Sequence, residues 1–423
     1  MTKPTTTQNN TATVGAQFIA PEASPEHGQK GGVSGWREYE LQELVDVRDG
    51  THDSPKESAI GKHLVTSKHI KNGKIDLTSA YKISENDFEL VNKRSKVDQW
   101  DILFSMIGTI GEMAIVTDRP EFAIKNVGLF KTNGNKLLSQ WIYYYFKSTE
   151  AQAEIQASLK GSTQQYITLG DLRVFPIKIP SEKEQKAIAA MLSSLDDKID
   201  LLHRQNQTLE AMAQTLFRQW FIEEAREDWV EMAIFDIAKH IKVGVQPSKL
   251  PTIEFSHYSL PAFDAGKQPI LELGQAILSN KYAVLDKTIL VSKLNPRVPR
   301  VWGVHKAPSN SICSTEFQVI KPNNTDYFEF LYFFLCSSNA TDELSMSASG
   351  TSGSHQRVSP EDIMNLTFFT EGLEMIKEFS LLVSASLVKI QSNIDSIQTL
   401  TQLRDTLLPK LMSGEIRVEV EYE

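Results

Sequence analysis

The stretch RDGTHDSP, Arg48 to Pro55, sets a histidine between two aspartates beside an arginine. Asp49, His52 and Asp53 are residue types that hold a metal or move a proton. A metal site needs further ligands at matching spacing, and no H-x-x-x-H or Cys/His set accompanies them. Asp49-Gly50 and Asp53-Ser54-Pro55 are instead turn signals. Two readings stay open: a solvated polar loop, or a loop presenting Arg48, Thr51 and His52 to a polyanion.

Other chemistry-bearing patterns thin out on inspection. No G-x-x-x-x-G-K-[ST] phosphate loop is present, and the glycines of FSMIGTIGEM lack dinucleotide-binding spacing. LNPRVP (Leu294–Pro299) starts like an amino-methylating motif but continues with Arg and Val in place of Pro and an aromatic residue. Asp171, Glu184 and Lys186 imitate the carboxylates and lysine of a magnesium nuclease, yet SEKE (Ser181–Glu184) already reads as a helix-capping box. The two cysteines, Cys313 and Cys336, form neither a disulfide framework nor a zinc spacing, which fits a reducing, cytoplasmic setting.

Two loops are more informative. GSTQQY (Gly161–Tyr166) and SGSHQRV (Ser352–Val358) are small and polar, and each precedes a strand-like segment, DLRVFPI or DIMNLTF. Their Gln, His and Arg side chains can donate to base edges and phosphates, and Gln can pair with adenine twice over. Basic segments without an acid accompany them: Gly61–Lys74, Ile237–Leu250 and Thr288–Lys306. The net charge of −9 argues against general phosphate coating, so these are local basic faces on an acidic chain.

The elements that must position these loops occur twice. Asp171 aligns with Asp362, an offset of 191 residues, and the same offset carries Gln165 to Gln356, Ile199 to Ile390 and Leu209 to Leu400. DILFS (Asp101–Ser105) resembles TILVS (Thr288–Ser292). Each half reads as an α/β or α+β unit followed by a long helix, so the molecule is a pseudo-two-fold duplication.

In the first helix Ile188, Leu192, Leu195, Ile199, Leu202, Asn206, Leu209, Ala213, Leu216 and Trp220 alternate by fours and threes. That is a coiled-coil seam whose one polar residue, Asn206, sits where register is set. In the second, Ile390, Ile394, Ile397, Leu400, Leu407 and Leu411 form the apolar face, with Gly414 as the stop. The two helices are expected to pair with each other, spanning about 60 Å.

The expected boundaries are an N-terminal disordered extension (1–35), a first unit (36–180), a central helix (181–224), a second unit (225–371), a distal helix (372–414) and an acidic tail (415–423). LLSQWIYYYFKSTEAQAEIQ reads as one helical patch, and Tyr327–Cys336 as a buried helix too short to span a bilayer. The N-terminus has no signal-peptide pattern.

RDGTHDSP, GKHLVTSKHIKNGKID, NKRSKVDQWDILFSMIGTIGEMAIV, AIKNVGLFK, the run from GSTQQY through LFRQWF, and the closing LLPKLMSGEI together resemble the specificity subunits of type I restriction-modification systems. The resemblance spans nearly everything after residue 36 and is looser in the second half. It implies two target recognition domains, each reading half of a split site in double-stranded DNA. It also implies an antiparallel helix pair that docks two methyltransferase and two restriction subunits. Such a subunit is non-catalytic, and S-adenosylmethionine, ATP and magnesium belong to its partners.

On this reading the DNA-facing candidates are Arg48, Thr51, His52, Thr66, Lys68, His69, Gln164 and Gln165 in the first unit. Lys293, Arg297, Arg300, His355, Gln356 and Arg357 are those of the second. A coiled-coil scaffold with two protein-binding heads is the alternative. It explains the helices but not the paired basic, Gln-containing loops.

Overall fold

The computed structural model describes residues 35–348 and 356–418. Two heads, each a mixed α/β unit, are carried by a pair of long helices, Glu182–Arg218 and Leu373–Met412. The central helix ends in a π-helical turn, Gln219–Glu223.

Each head is built on a four-stranded sheet with the same plan. In the first head the order is Asp46–Asp49, Val127–Lys131, Ile102–Ser105, Met113–Ile115; in the second it is Ala238–Ile241, Phe317–Pro322, Thr288–Ser292, Val301–Val304. DILFS and TILVS, aligned in sequence, are thus the same interior strand. Every residue of Ile102–Ser105 and of Thr288–Ser292 is buried, as an apolar run covered on both faces must be.

A second sheet flanks each: three strands (Lys82–Ile83, Lys62–Val65, Phe122–Ile124) in the first head and five in the second. The strand closing each head pairs with the strand opening it, Arg37–Glu40 with Pro176–Ile179 and Val230–Ala233 with Thr367–Thr370. Beginning and end of each unit are therefore tied together beside the helix that follows.

Several local expectations need correcting. DLRVFPI is not one strand: Leu169–Arg173 is a helical turn and only Pro176–Ile179 is extended, with the same division in the second head. The cause is a pair of capping boxes, Thr168 with Asp171 and Ser359 with Asp362, which satisfy the first backbone donors of each turn. The helical patch of the first head is two helices, Lys136–Phe146 and Thr149–Ala157, because Ser148 caps the second. At Ser181 only half of the expected box forms. Its hydroxyl accepts from the Glu184 N–H, while the Glu184 side chain is buried with Oε1 unpaired. Phe328–Leu335 is the buried helix expected there.

The long helices run antiparallel: Asp196 meets Arg404 at 2.8 Å and Asn206 meets Asn393 at 2.8 Å. The heptad seam is shared among three partners. Ile188 and Leu192 enter the core of the first head together with Leu408, Leu411 and Met412, and Leu407 packs beside them. Ala213 enters the core of the second head with Ile376, Phe379 and Val383, flanked by Leu216 and Trp220. Between the heads the helices pair chiefly with each other, although Lys74 of the first head reaches Asp200 and Gln268 of the second donates to the Ile394 carbonyl at 3.5 Å. There Leu202, Ile397 and Asn393 are buried, while Leu195, Ile199, Asn206, Leu209, Ile390 and Ile394 are half-buried.

Each head is thus joined to both helices. In the second, Phe221 of the central helix lies 4.7 Å from Phe330 and 5.4 Å from Phe379, ring centre to ring centre. In the first, Tyr144 donates to Asp196, the carboxylate that Arg404 also holds. Gly414 has φ 72°, the left-handed conformation that ends a helix and suits glycine.

Candidate nucleic-acid interface

Three chain segments leave one end of the first head's sheet together. Val127 faces Ser105 and Gly128 faces Asp49, so Gly50–Pro55, Lys125–Asn126 and Met106–Gly111 all begin there. Ile107 bridges to Tyr166, which brings in the Gly161–Tyr166 loop. That loop is closed by reciprocal backbone bonds of 2.9 Å between Lys160 and Tyr166, leaving Gln164 and Gln165 exposed at its tip.

RDGTHDSP proves to be a brace. The carboxylate of Asp49, a residue 7% exposed, takes Arg94 at 2.6 Å and His52 Nε2 at 2.9 Å. The other ring nitrogen of His52 lies 2.8 Å from the Asn126 side-chain oxygen. The Thr51 carbonyl accepts from the Asn126 N–H at 3.1 Å, and Lys125 reaches Ser54. Gly50 is required by close approach, since a Cβ there would stand 2.6 Å from the Ile124 carbonyl oxygen. Asp49 is thus spent in the interior, and both ring nitrogens of His52, although exposed, already have partners.

The turn Ser67–His69 docks on the same brace through Ser67, which donates to the Asn126 carbonyl at 3.2 Å. Thr66 begins that turn and Lys68 is exposed on it. His69 does not face outward. It is fully buried, Nδ1 accepts from the Thr66 N–H at 2.9 Å, and burial pulls its pKa below 6.5. It is a structural residue of the turn, because its ring fills the space beneath it. Arg48 is half taken by Asp46 at 2.6 Å.

The second head repeats the arrangement. Phe317 faces Ser292 and Val319 faces Ile241, and Leu294 bridges to Arg357 as Ile107 does to Tyr166. Arg297 and Arg357 are exposed at this end. Two other candidates are committed elsewhere. Lys293 donates to the Thr315 carbonyl at 2.6 Å, with its pKa lowered by burial, and Arg300 holds Asp264 through two bonds of 2.8 and 3.0 Å. The reason is proximity in the fold: a carbonyl and a carboxylate come within reach that no local spacing announces. Gln356 is half-buried, its carbonyl accepting from the Asn295 N–H at 3.0 Å. His355 lies outside the described residues.

Arg94, Asn126, Tyr166 and Glu316 join these ends without having been singled out in the sequence. Only Asn126 left a trace there: an asparagine just before an apolar strand is a residue that tolerates the φ of 52° it adopts. The nuclease-like residues have other work. Asp171 is held by Lys160 at 2.8 Å and by Thr168, which lower its pKa, Lys160 foremost. Among the described residues no group of three or more His, Cys, Asp or Glu is placed to hold a metal ion. Nor is any helix among them long and apolar enough to cross a membrane.

Comparison with known proteins gives one family throughout. A sequence profile described as the type I restriction modification DNA specificity domain matches residues 33–211. The MjaIX specificity subunit of Methanocaldococcus jannaschii is 26% identical over 309 residues, covering 67% of this chain and 70% of that protein. The HindI specificity subunit of Haemophilus influenzae is 22% identical over 404 residues, covering 76% and 88%. The crystal structure of a type I S subunit from M. genitalium shares the fold, with a TM-score of 0.57 at 17% identity over 90% of this chain and 98% of that one. Residues 33–211 thus match the DNA specificity domain of type I restriction-modification systems, and the chain is similar over most of its length to specificity subunits of such systems.

Proposed function

We propose that this chain is the DNA-reading subunit of a type I complex, each head reading one half of a split target. The observation that carries it is the duplicated sheet end: in both heads a polar loop is bridged to the segment leaving the same interior strand, at opposite ends of one antiparallel helix pair. On the central helix, Leu192 enters the first head and Ala213 the second. Twenty-one residues of helix separate them by about 32 Å. One turn of B-DNA, roughly 34–36 Å, separates successive major-groove sites on one face. The stretch between would be spanned unread.

The candidates that the fold leaves at these ends are Thr51, Thr66, Lys68, Gln164 and Gln165 in one head, and Arg297, Gln356 and Arg357 in the other. Phosphate contacts position such a head and base-edge contacts specify its sequence. Exposed apolar residues also repeat at the 191-residue offset: Met191 with Leu382, and Met212 with Leu403. Two equivalent faces suit two copies of one partner, the methyltransferase subunits, with restriction subunits joining the assembly. Adenine methylation with S-adenosylmethionine, and cleavage with ATP and magnesium, would then be the partners' chemistry in the cytoplasm, this chain being non-catalytic.

The test is a genome-wide map of N6-methyladenine in the source cell with and without this gene. Loss of one split motif on deletion is the expected result. An unchanged map, with the methyltransferase expressed, would favour a protein-binding scaffold instead.

A further inference from the structure

The two heads differ most where their architecture is most alike. Val127 and Phe317 occupy the same register position, so the residue before each, Asn126 or Glu316, stands at the same place beside the interior strand. Tyr166 and Arg357 are likewise equivalent through their bridges to Ile107 and Leu294. In the first head Asn126 is occupied by His52. In the second, Glu316 carries a carboxylate at a surface meant for a polyanion, and that carboxylate is under-used. One oxygen lies 3.5 Å from the Arg357 guanidinium, and the other is buried with no partner among the described residues.

Both side chains stand on pinned backbone. The Lys293 N–H donates to the Glu316 carbonyl at 2.8 Å, the Val358 N–H to the Lys293 carbonyl at 3.0 Å, and the Asn295 N–H to the Gln356 carbonyl at 3.0 Å. The pair is therefore held at a fixed place, with the Arg357 side chain 59% and that of Glu316 30% exposed, while the unpartnered Glu316 Oε2 itself is covered. An ion pair this loose and exposed adds little stability. Stability is not what places a carboxylate here.

We propose that Glu316 and Arg357 form a paired reader of one G·C base pair in the half-site of the second head. In the major groove guanine offers two acceptors, N7 and O6, which a guanidinium fork matches, while cytosine offers the N4 amino donor, which a carboxylate accepts. The two adjacent side chains present the complement of both edges. Glu316 also excludes: an acceptor edge, thymine O4 or guanine O6, placed against it would be repelled. The terminal torsion of a glutamate is broad, so rotation of the carboxylate would bring its covered oxygen out to the base at little torsional cost. In the absence of DNA, Glu316 holds Arg357 near the reading position.

This inference rests on the DNA-reading assignment, and the experiment separates the two. Methylation motifs are mapped in the source cell carrying the wild-type gene, no gene, Glu316→Gln, Arg357→Ala or Arg357→Lys. Binding of the assembled wild-type and variant complexes to target duplexes is measured in parallel. If deletion leaves the map unchanged, the DNA-reading assignment itself fails. If deletion removes a split motif, one half-site should contain a G·C pair at which Glu316→Gln admits other base pairs, the other half remaining intact. Arg357→Ala should weaken binding roughly tenfold or more at the cognate duplex alone. Arg357→Lys keeps the charge but not the fork, and should not restore it. An unaltered motif in Glu316→Gln, full recovery in Arg357→Lys, or equal weakening on all sequences would overturn the paired reader and make Arg357 a phosphate contact.

Discussion

Among the described residues, the polar end of the first head is cross-braced by side chains, and that of the second carries a different polar set. Asp49, His52, Asn126 and Arg94 satisfy one another in the first, whereas sheet register puts Lys242 at the place of Asp49 and Glu316 at that of Asn126 in the second. The sheets beneath have the same strand order. The interiors differ by a similar exchange. Asp101 and Lys131 form a buried ion pair in the first head, while Thr288 stands in the place of Asp101 and the second head pairs Lys287 with Glu329. A duplicated framework is kept by packing, and the polar groups set on it are free to differ so long as each burial is satisfied locally.

The largest effects are expected at those ion pairs. Lys131→Met would leave Asp101, fully buried, without its cation and should cost about 3–5 kcal/mol in denaturant unfolding. Lys287→Met should do the same to Glu329 in the second head. If only one variant is destabilised, the two pairs are not equivalent supports.

A smaller effect is expected where the halves meet. Asn393→Ala leaves Asn206 without its partner between the helices, a loss of about 1–3 kcal/mol. Replacing both by leucine should recover most of it, because removing two partners strands no amide. The repeat places Asn206 where the other half has Ile397, and Asn393 where it has Leu202, so the double variant also erases a polar difference between the halves. Native mass spectrometry of the full chain should then show whether register or copy number loosens.

Asn126→Ala removes the His52 bond and puts an alanine at φ 52°. It should cost about 1–2 kcal/mol and weaken methylation through the first half-site alone. Weakening of both half-sites would mean the heads are coupled.

The smallest effect is a pH slope. Burial foremost lowers the pKa of His69 in the first head and of His240 and His305 in the second below 6.5. Below pH 6.5 the unfolded chain takes up protons that the folded heads resist, so stability present at neutral pH declines as pH falls. His240→Gln should flatten part of that slope in the second head, and an unchanged slope would remove His240 from the account.

Much of the scaffold was legible because it repeats at short range. The alternation of fours and threes from Ile188 to Trp220 follows from helix geometry, and the helix is there. Its apolar positions nevertheless serve three partners, since each head claims one end of it. SEKE predicts a capping box at Ser181, yet the complete boxes stand at Thr168 and Ser359, where a short turn rather than a strand needs them. Among the candidate readers, Gln164, Gln165 and Arg357 lie on exposed surface, whereas His69 went inside.

By itself, then, the sequence determined what the backbone period and turn chemistry dictate: two long helices, their apolar faces, the duplication, and the loops before Asp171 and Asp362. Tertiary structure decided which polar side chains are spent. Arg300 lies 36 residues from Asp264, Arg94 lies 45 from Asp49, and Asn206 lies 187 from Asn393, yet each meets its partner at hydrogen-bond distance. Periodicity arises from dihedral angles shared by neighbours. Partnership arises from close packing of distant segments to within an ångström, and only the folded chain contains that distance.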